Sequence, residues 1–255
     1  MAVRVLTFAR APFVGTDGTI CRFGVSCGNT CCGELVIVPS PTVVCVLRSG
    51  GEFRPEHVYA LMAGVEDYWP VDRFPLRRVV LTDMPIEHTM LGGLEVMPLE
   101  YPYPGWWSKM EMFRPAMETL GDILFFDLDT VIVGDLVDIA AVGRLTLLAD
   151  FFRETERTRL GSGMMYLPAE EREQVWRAWV RGDPRAHMRK YRGDQEFLAP
   201  TLLSAWQVSR WQDVLPGQVV SYKAHVKPAG GVPIGARVVC FHGRPRPWQL
   251  KGGLV

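Results

Sequence analysis

Short, wholly apolar runs bounded by turn residues set the tightest limit on this fold. Ile123-Leu124-Phe125-Phe126 follows Gly121-Asp122 and stops at Asp127; Val43-Val44-Cys45-Val46-Leu47 stops at Arg48-Ser49-Gly50-Gly51. Runs of this length without polar alternation read as strands buried on both faces, the habit of a parallel sheet covered by helices. Between them, Pro55–Tyr68 reads as a helix with Pro55 in its first turn and Val58, Leu61, Met62 and Val65 on one face. Further strands are expected over residues 78–83, 94–97, 145–149, 164–167 and 238–241. Helices are expected over 107–117 (with Pro115 ending or kinking it), near 136–142, over 168–180 and after Asp194. This alternation predicts an α/β domain with a mostly parallel central sheet.

The 255-residue length suits one such domain, with residues 1–41, rich in Gly, Thr, Cys and Pro, as an irregular N-terminal extension and 42–255 as the folded unit. A formal net charge of zero supplies no global field to recruit nucleic acid or an acidic membrane surface. The charge is unevenly spread, however. No Asp or Glu follows Asp213, whereas Lys223, Lys227, Arg237, Arg244, Arg246 and Lys251 all do. That segment suits an anionic ligand such as a phosphate group, and equally a solvated basic face. No run approaches the roughly 20 apolar residues of a membrane span, and the N-terminus lacks the apolar core of a secretory signal. The expected location is therefore cytoplasmic, where thiols stay reduced. Cys21, Cys27, Cys31 and Cys32 crowd the first 32 residues without forming a zinc pattern.

Four constellations carry candidate chemistry. In an extended chain alternate side chains share a face, so Asp127 and Asp129 are expected to point together from the C-terminal edge of their strand, where open α/β sheets bind ligands. Two converging carboxylates suit a hard divalent ion, Mg²⁺ or Mn²⁺, and through it a diphosphate. The second constellation, His242-Gly243-Arg244-Pro245-Arg246-Pro247-Trp248, again follows an apolar strand. His242 offers a nitrogen ligand that shifts preference towards Mn²⁺, and Arg246 can fork onto phosphate oxygens. The third is Gly193-Asp194-Gln195-Glu196, where Asp194 is expected as a helix cap and Gln195 is free to face a ligand. The fourth is Trp106-Trp107-Ser108-Lys109, with Lys109 reaching a phosphate or sugar, or simply decorating an amphipathic helix. Tyr101, Tyr103, Trp106 and Trp107 suit stacking on a saccharide and core packing alike.

Taken in order over residues 43–250, these segments resemble the retaining glycosyltransferases of family 8, which includes glycogenin and bacterial lipopolysaccharide galactosyltransferases. The resemblance implies a single GT-A type, Rossmann-like nucleotide-diphospho-sugar transferase domain. It implies Mn²⁺ (or Mg²⁺) held by Asp127, Asp129 and His242. It also implies donor contacts at Leu47, Arg48, Ser49, Lys109, Leu128, Ser162, Gly243 and Arg246. Asp150, Asp194 and Gln195 would line the reacting face. Two departures stand out: the family's Asn-Ser-Gly segment appears as Gly161-Ser162-Gly163, and Arg246 stands where Lys is usual.

The activity implied is metal-dependent transfer of a sugar from a nucleotide-diphosphate donor to a saccharide, lipid or protein hydroxyl, with retention at the anomeric carbon. Two rivals accompany it. Asp127-Leu128-Asp129-Thr130-Val131 also matches the nucleophile motif of haloacid-dehalogenase-type phosphatases, although it lies mid-domain here and no acidic pair follows Asp213. A non-catalytic sugar-nucleotide binding module would account for the missing Asn before Ser162.

Overall fold

A computed structural model describes residues 13–14, 20–21, 40–87, 92–250 and 252–254. Phe13–Val14 pairs antiparallel with Ile20–Cys21 as a two-stranded ribbon. Residues 1–12, 15–19 and 22–39 of the expected N-terminal extension, including Cys27, Cys31 and Cys32, lie outside the described residues.

The central sheet has seven strands. In chain order they are β1 (Thr42–Leu47), β2 (Arg78–Thr82), β3 (Leu94–Pro98), β4 (Ile123–Phe126), β6 (Thr146–Ala149), β7 (Leu160–Leu167) and β8 (Ser209–Arg210). A smaller three-stranded sheet joins β5 (Thr130–Ile132), β9 (Val219–Ser221) and β10 (Val238–Cys240). Across the main sheet the order is β8-β6-β7-β4-β1-β2-β3. Only β7 runs against its neighbours, pairing antiparallel with both β4 and β6. The largely parallel α/β sheet expected from the apolar runs is therefore present, and β1, β2 and β4 are buried almost throughout.

The order contains a switch. From β1 the chain moves one way to β2 and β3, then returns to lay β4 on the other side of β1. The connections leaving β1 and β4 therefore diverge and open a crevice at their C-terminal ends, the usual ligand position in such sheets.

Helix α1 (Pro55–Tyr68) lies where the sequence predicts and buries Val58, Leu61, Met62 and Val65 against one sheet face. Short α2 (Val137–Ala140) packs in the same core. The opposite face is covered by α3 (Ala169–Arg181), by α5 (Asp194–Ala205) and by two 3-10 segments, Gly105–Phe113 and Pro115–Leu120. These two replace the single helix expected over 107–117. Arg114 is extended, with ψ of 151°, because the ring of Pro115 disfavours a helical residue before it. Helices α4 (Pro184–Lys190), α6 (Trp211–Val214) and α7 (Lys227–Ala229) complete the order. Strands β5, β8 and β9 are too short to announce themselves by periodicity. No helix among the described residues is long and apolar enough to cross a membrane.

Candidate active site

At the switch point lies a cleft of about 1200 Å³. Asp127 and Asp129 form part of its floor, but not by strand alternation. Strand β4 ends at Phe126, and the Thr130 amide donates to the Asp127 carbonyl at 3.0 Å, so the two acids sit on a tight turn into β5. This corrects the extended-chain expectation: the turn, not the period of two, brings both carboxylates to the cleft. The Asp127 amide is tied back to the Gly163 carbonyl at 2.8 Å. A β-carbon on Gly163 would stand 3.3 Å from Asp127 Oδ2, so the absence of a side chain there leaves room for the carboxylate.

Two cations meet these acids from distant parts of the chain. Lys109, buried in the first 3-10 segment, places Nζ 2.8 Å from Asp127 Oδ1 and 3.3 Å from Asp194 Oδ2. Arg246 pairs directly with Asp129 across 117 residues. The β5–β10 ladder explains that return: Thr130 is in register with Cys240, so the chain leaving β10 runs beside the acidic turn.

Burial dominates the ionisation of the floor. Burial is the main force raising the Asp127 pKa, against the pull of Lys109. Burial, and then the charge of Asp127, push Asp129 up to about 7 despite Arg246 and Lys109. Burial opposes the Lys109 ammonium, yet Asp127 and Asp194 outweigh it and hold its pKa above that of an ordinary lysine.

Asp194 is not the helix cap expected. Gly193 occupies that position, and the buried Asp194 carboxylate accepts from Ser162 Oγ at 2.6 Å while facing Lys109. Asp194, Lys109, Ser162 and Asp127 thus form one continuous polar network beneath the cleft.

His242 and Asp150 line the far wall with Phe151 and Phe152. His242 Nε2 lies 2.7 Å from Ser221 Oγ, and its ring stacks on Phe151 at a centroid distance of 5.9 Å. Burial, followed by nearby Lys223, lowers its pKa. Gly243 follows with φ of +72°, close to Lys223. Asp150 at the end of β6 accepts from the Phe152 amide at 2.9 Å.

The remaining predicted positions divide. Arg48, Leu128, Ser162, Gln195, Gly243 and Arg246 line the cleft. Leu47 does not: its side chain is fully buried in the core beside α1, and Val46 lines the cleft instead. Ser49 is engaged by Asp83, which accepts from its amide at 2.7 Å and its hydroxyl at 2.5 Å. Arg48 reaches the same carboxylate at 3.3 Å.

Two residues escaped sequence reasoning. Glu52 bridges the C-terminal segment, accepting from Arg246 Nε at 2.9 Å and Arg244 at 3.2 Å. Its place just after the Gly50-Gly51 strand end was the available signal. Ser221, which holds His242, had none.

The donor chemistry here suits a divalent cation. Asp127 and Asp129 are hard oxygen ligands whose pKa values are raised chiefly by burial. Among the described residues no three His, Cys, Asp or Glu groups form a ready-made metal cage, and His242 is turned to Ser221.

Solved structures share this architecture. Glycosyltransferase GlyE of Streptococcus pneumoniae TIGR4 superposes with a TM-score of 0.59 at 14% identity, covering 84% of this chain and 58% of that one. Galactosyltransferase LgtC, in complex with donor and acceptor sugar analogues, gives a TM-score of 0.55 at 12% identity, covering 82% of this chain and 89% of that one. An active-site mutant of LgtC gives 0.57, also at 12% identity, with the same coverage. The fold is the GT-A glycosyltransferase fold. The chain spans little more than half the length of GlyE. No protein-family model and no curated protein sequence matches it.

Proposed function

We propose that this GT-A chain transfers a sugar from a nucleoside-diphosphate donor to an acceptor hydroxyl, with metal dependence and with retention at the anomeric carbon. The observation that carries this reading is the meeting of Asp127 and Asp129 with Lys109 and Arg246 at the switch point between β1 and β4. A paired acidic floor met by a lysine and an arginine combines the two signs of charge that a diphosphate bridged by a cation needs.

Mn²⁺ or Mg²⁺ would be held by Asp127 and Asp129, with His242 as the candidate third ligand, and would supply positive charge to the departing diphosphate. Arg246 would turn from Asp129 and Glu52 to fork onto phosphate oxygens. Lys109 adds fixed positive charge while positioning Asp127 and Asp194. Arg48, with Ser49 behind it on Asp83, would border the base and ribose at the end of β1. Asp150, Asp194 and Gln195 would line the face where acceptor hydroxyl and anomeric carbon meet. A cytoplasmic setting, with Cys45 and Cys240 as buried free thiols, belongs to the same reading.

The test is release of nucleoside diphosphate from a panel of sugar nucleotides, with Mn²⁺ and with chelator. Metal-dependent release from one donor supports the transferase. Silence across the panel, joined by no nucleotide binding in calorimetry, removes it.

A further inference from the structure

Arg246 bridges two carboxylates that stand at different strand ends. Its Nη1 donates to Asp129 on the turn after β4. Its other edge donates twice to Glu52 Oε1 in the loop after β1, from Nε at 2.9 Å and from Nη2 at 2.6 Å. All three guanidinium nitrogens are thus engaged at once, with the central carbon 5.0 Å from the ring centroid of Phe53. A guanidinium offers separate nitrogens to each carboxylate, which accounts for an arginine here in place of the lysine usual in the family this chain resembles.

The backbone behind Arg246 is anchored as well. The Arg246 amide donates to Gln249 Oε1 at 2.9 Å. The Trp248 ring lies 3.8 Å from His57 and 5.6 Å from Phe53, centroid to centroid. Arg244 occupies the second oxygen of Glu52 at 3.2 Å. Glu52 therefore receives donors on both oxygens and ties residues 244–249 to the end of β1.

Asp129 is only 4% exposed, so its charge is met by Arg246 and hardly at all by water. A divalent cation on the same carboxylate would stand beside the guanidinium, and like charges that close repel strongly out of water. Arg246 and a cation thus compete for Asp129. We infer that Glu52 is a positioning residue that holds Arg246 on Asp129 as a resident counter-ion, so that the acidic turn takes up a cation as Arg246 is released. The arrangement keeps cation binding weak until a diphosphate is present to receive the guanidinium. The identity of the cation rests on the transferase reading; the competition for Asp129 does not.

The experiment is titration of the full chain with Mn²⁺ in the absence of nucleotide, with free Mn²⁺ read by electron paramagnetic resonance. Apparent affinity falls with the fraction of molecules in which Asp129 is released, so Arg246→Ala should bind Mn²⁺ about tenfold more tightly than the parent. Glu52→Gln should bind it about threefold more tightly, because Arg246 loses its second seat. Removing an acid from the rim of a cation site would otherwise weaken binding, so the sign of that change separates positioning from plain charge. Arg244→Ala, which removes an equal charge that does not touch Asp129, should change affinity by less than about twofold. Glu52→Gln should add no tightening in the Arg246→Ala background, since it acts through Arg246. Glu52 and Arg244 are exposed, so these two variants keep the fold. The inference is overturned if Glu52→Gln binds Mn²⁺ no more tightly than the parent, or if Arg246→Ala gains no more than Arg244→Ala. Absence of Mn²⁺ binding in the parent and all variants overturns it together with metal dependence. The expected tightening in a protein that releases no nucleoside diphosphate from any sugar nucleotide would instead keep the counter-ion and sink the transferase.

Discussion

At the N-terminal end of β4, Asp122 accepts hydrogen bonds from the Tyr166 hydroxyl and the Ala169 amide, both at 3.0 Å. Just past the C-terminal end of the same strand, Asp127 and Asp129 pair directly with Lys109 and Arg246 at the floor of the cleft. The first acid is matched by neutral donors that hold β7 and the start of α3 to the sheet. The second pair is matched by cations borrowed from remote segments, and burial still pushes both pKa values up. One strand is thus flanked by a carboxylate matched by neutral donors and by a pair matched by cations from distant segments. Their difference lies in whether the local fold satisfies them.

That contrast can be broken most sharply at Asp127. Asp127→Asn should lower metal-dependent donor turnover by about a thousandfold, the scale of several kcal/mol that a correctly held cation contributes. The variant should also melt lower, because buried Lys109 loses its nearer carboxylate, so turnover is compared well below its melting temperature. Undiminished Mn²⁺-dependent turnover in this variant would dismiss the C-terminal end as the reacting site.

Asp122→Ala should do the reverse. Removing it orphans the Tyr166 hydroxyl and the α3 entry, at a cost of about 2 kcal/mol in denaturant unfolding. Nucleotide affinity should be unchanged. Equal stability in the variant would mean that the two ends of β4 do not differ as described.

The smallest effect sharpens the comparison through pH. Folding raises the Asp129 pKa to about 7, so over intermediate pH the folded chain binds a proton that the unfolded chain releases. The stability associated with this group is complete below its ordinary value of about 4 and is lost as pH rises through 7. Asp129→Asn should therefore stabilise the metal-free protein at pH 8, on the order of 1 kcal/mol, with little effect at pH 4. Destabilisation of the same size at both pH values would show that the Arg246 pair outweighs burial.

Much of this was legible beforehand because the signals are local. The buried strands β1, β2 and β4 are legible as unbroken apolar runs, and α1 as a face of four apolar residues behind Pro55. The acidic pair stands out by its place at a strand end. By contrast, Asp194 looked like a cap because an acidic residue opening a helix usually is one. Its actual partners, Ser162 and Lys109, lie 32 residues or more away in sequence. Leu47 and Val46 could not be assigned to core or cleft, since a strand buried on both faces has no alternation to read. The break at Arg114 was signalled by Pro115, but the 3-10 winding before it was not.

The sequence by itself determined the class of sheet, the strand ends that bear acid, and the types of residue able to meet a diphosphate. These depend on hydrophobic runs, turn residues and side-chain chemistry, each contained within a few positions. Only the tertiary structure decided which cation meets which acid, that His242 leans on Ser221, and that Trp106 and not Trp107 faces the cleft. Those outcomes depend on the β5–β10 register, on the turn after β4 and on the winding of one short helix, and all three are settled by packing between segments far apart in the chain.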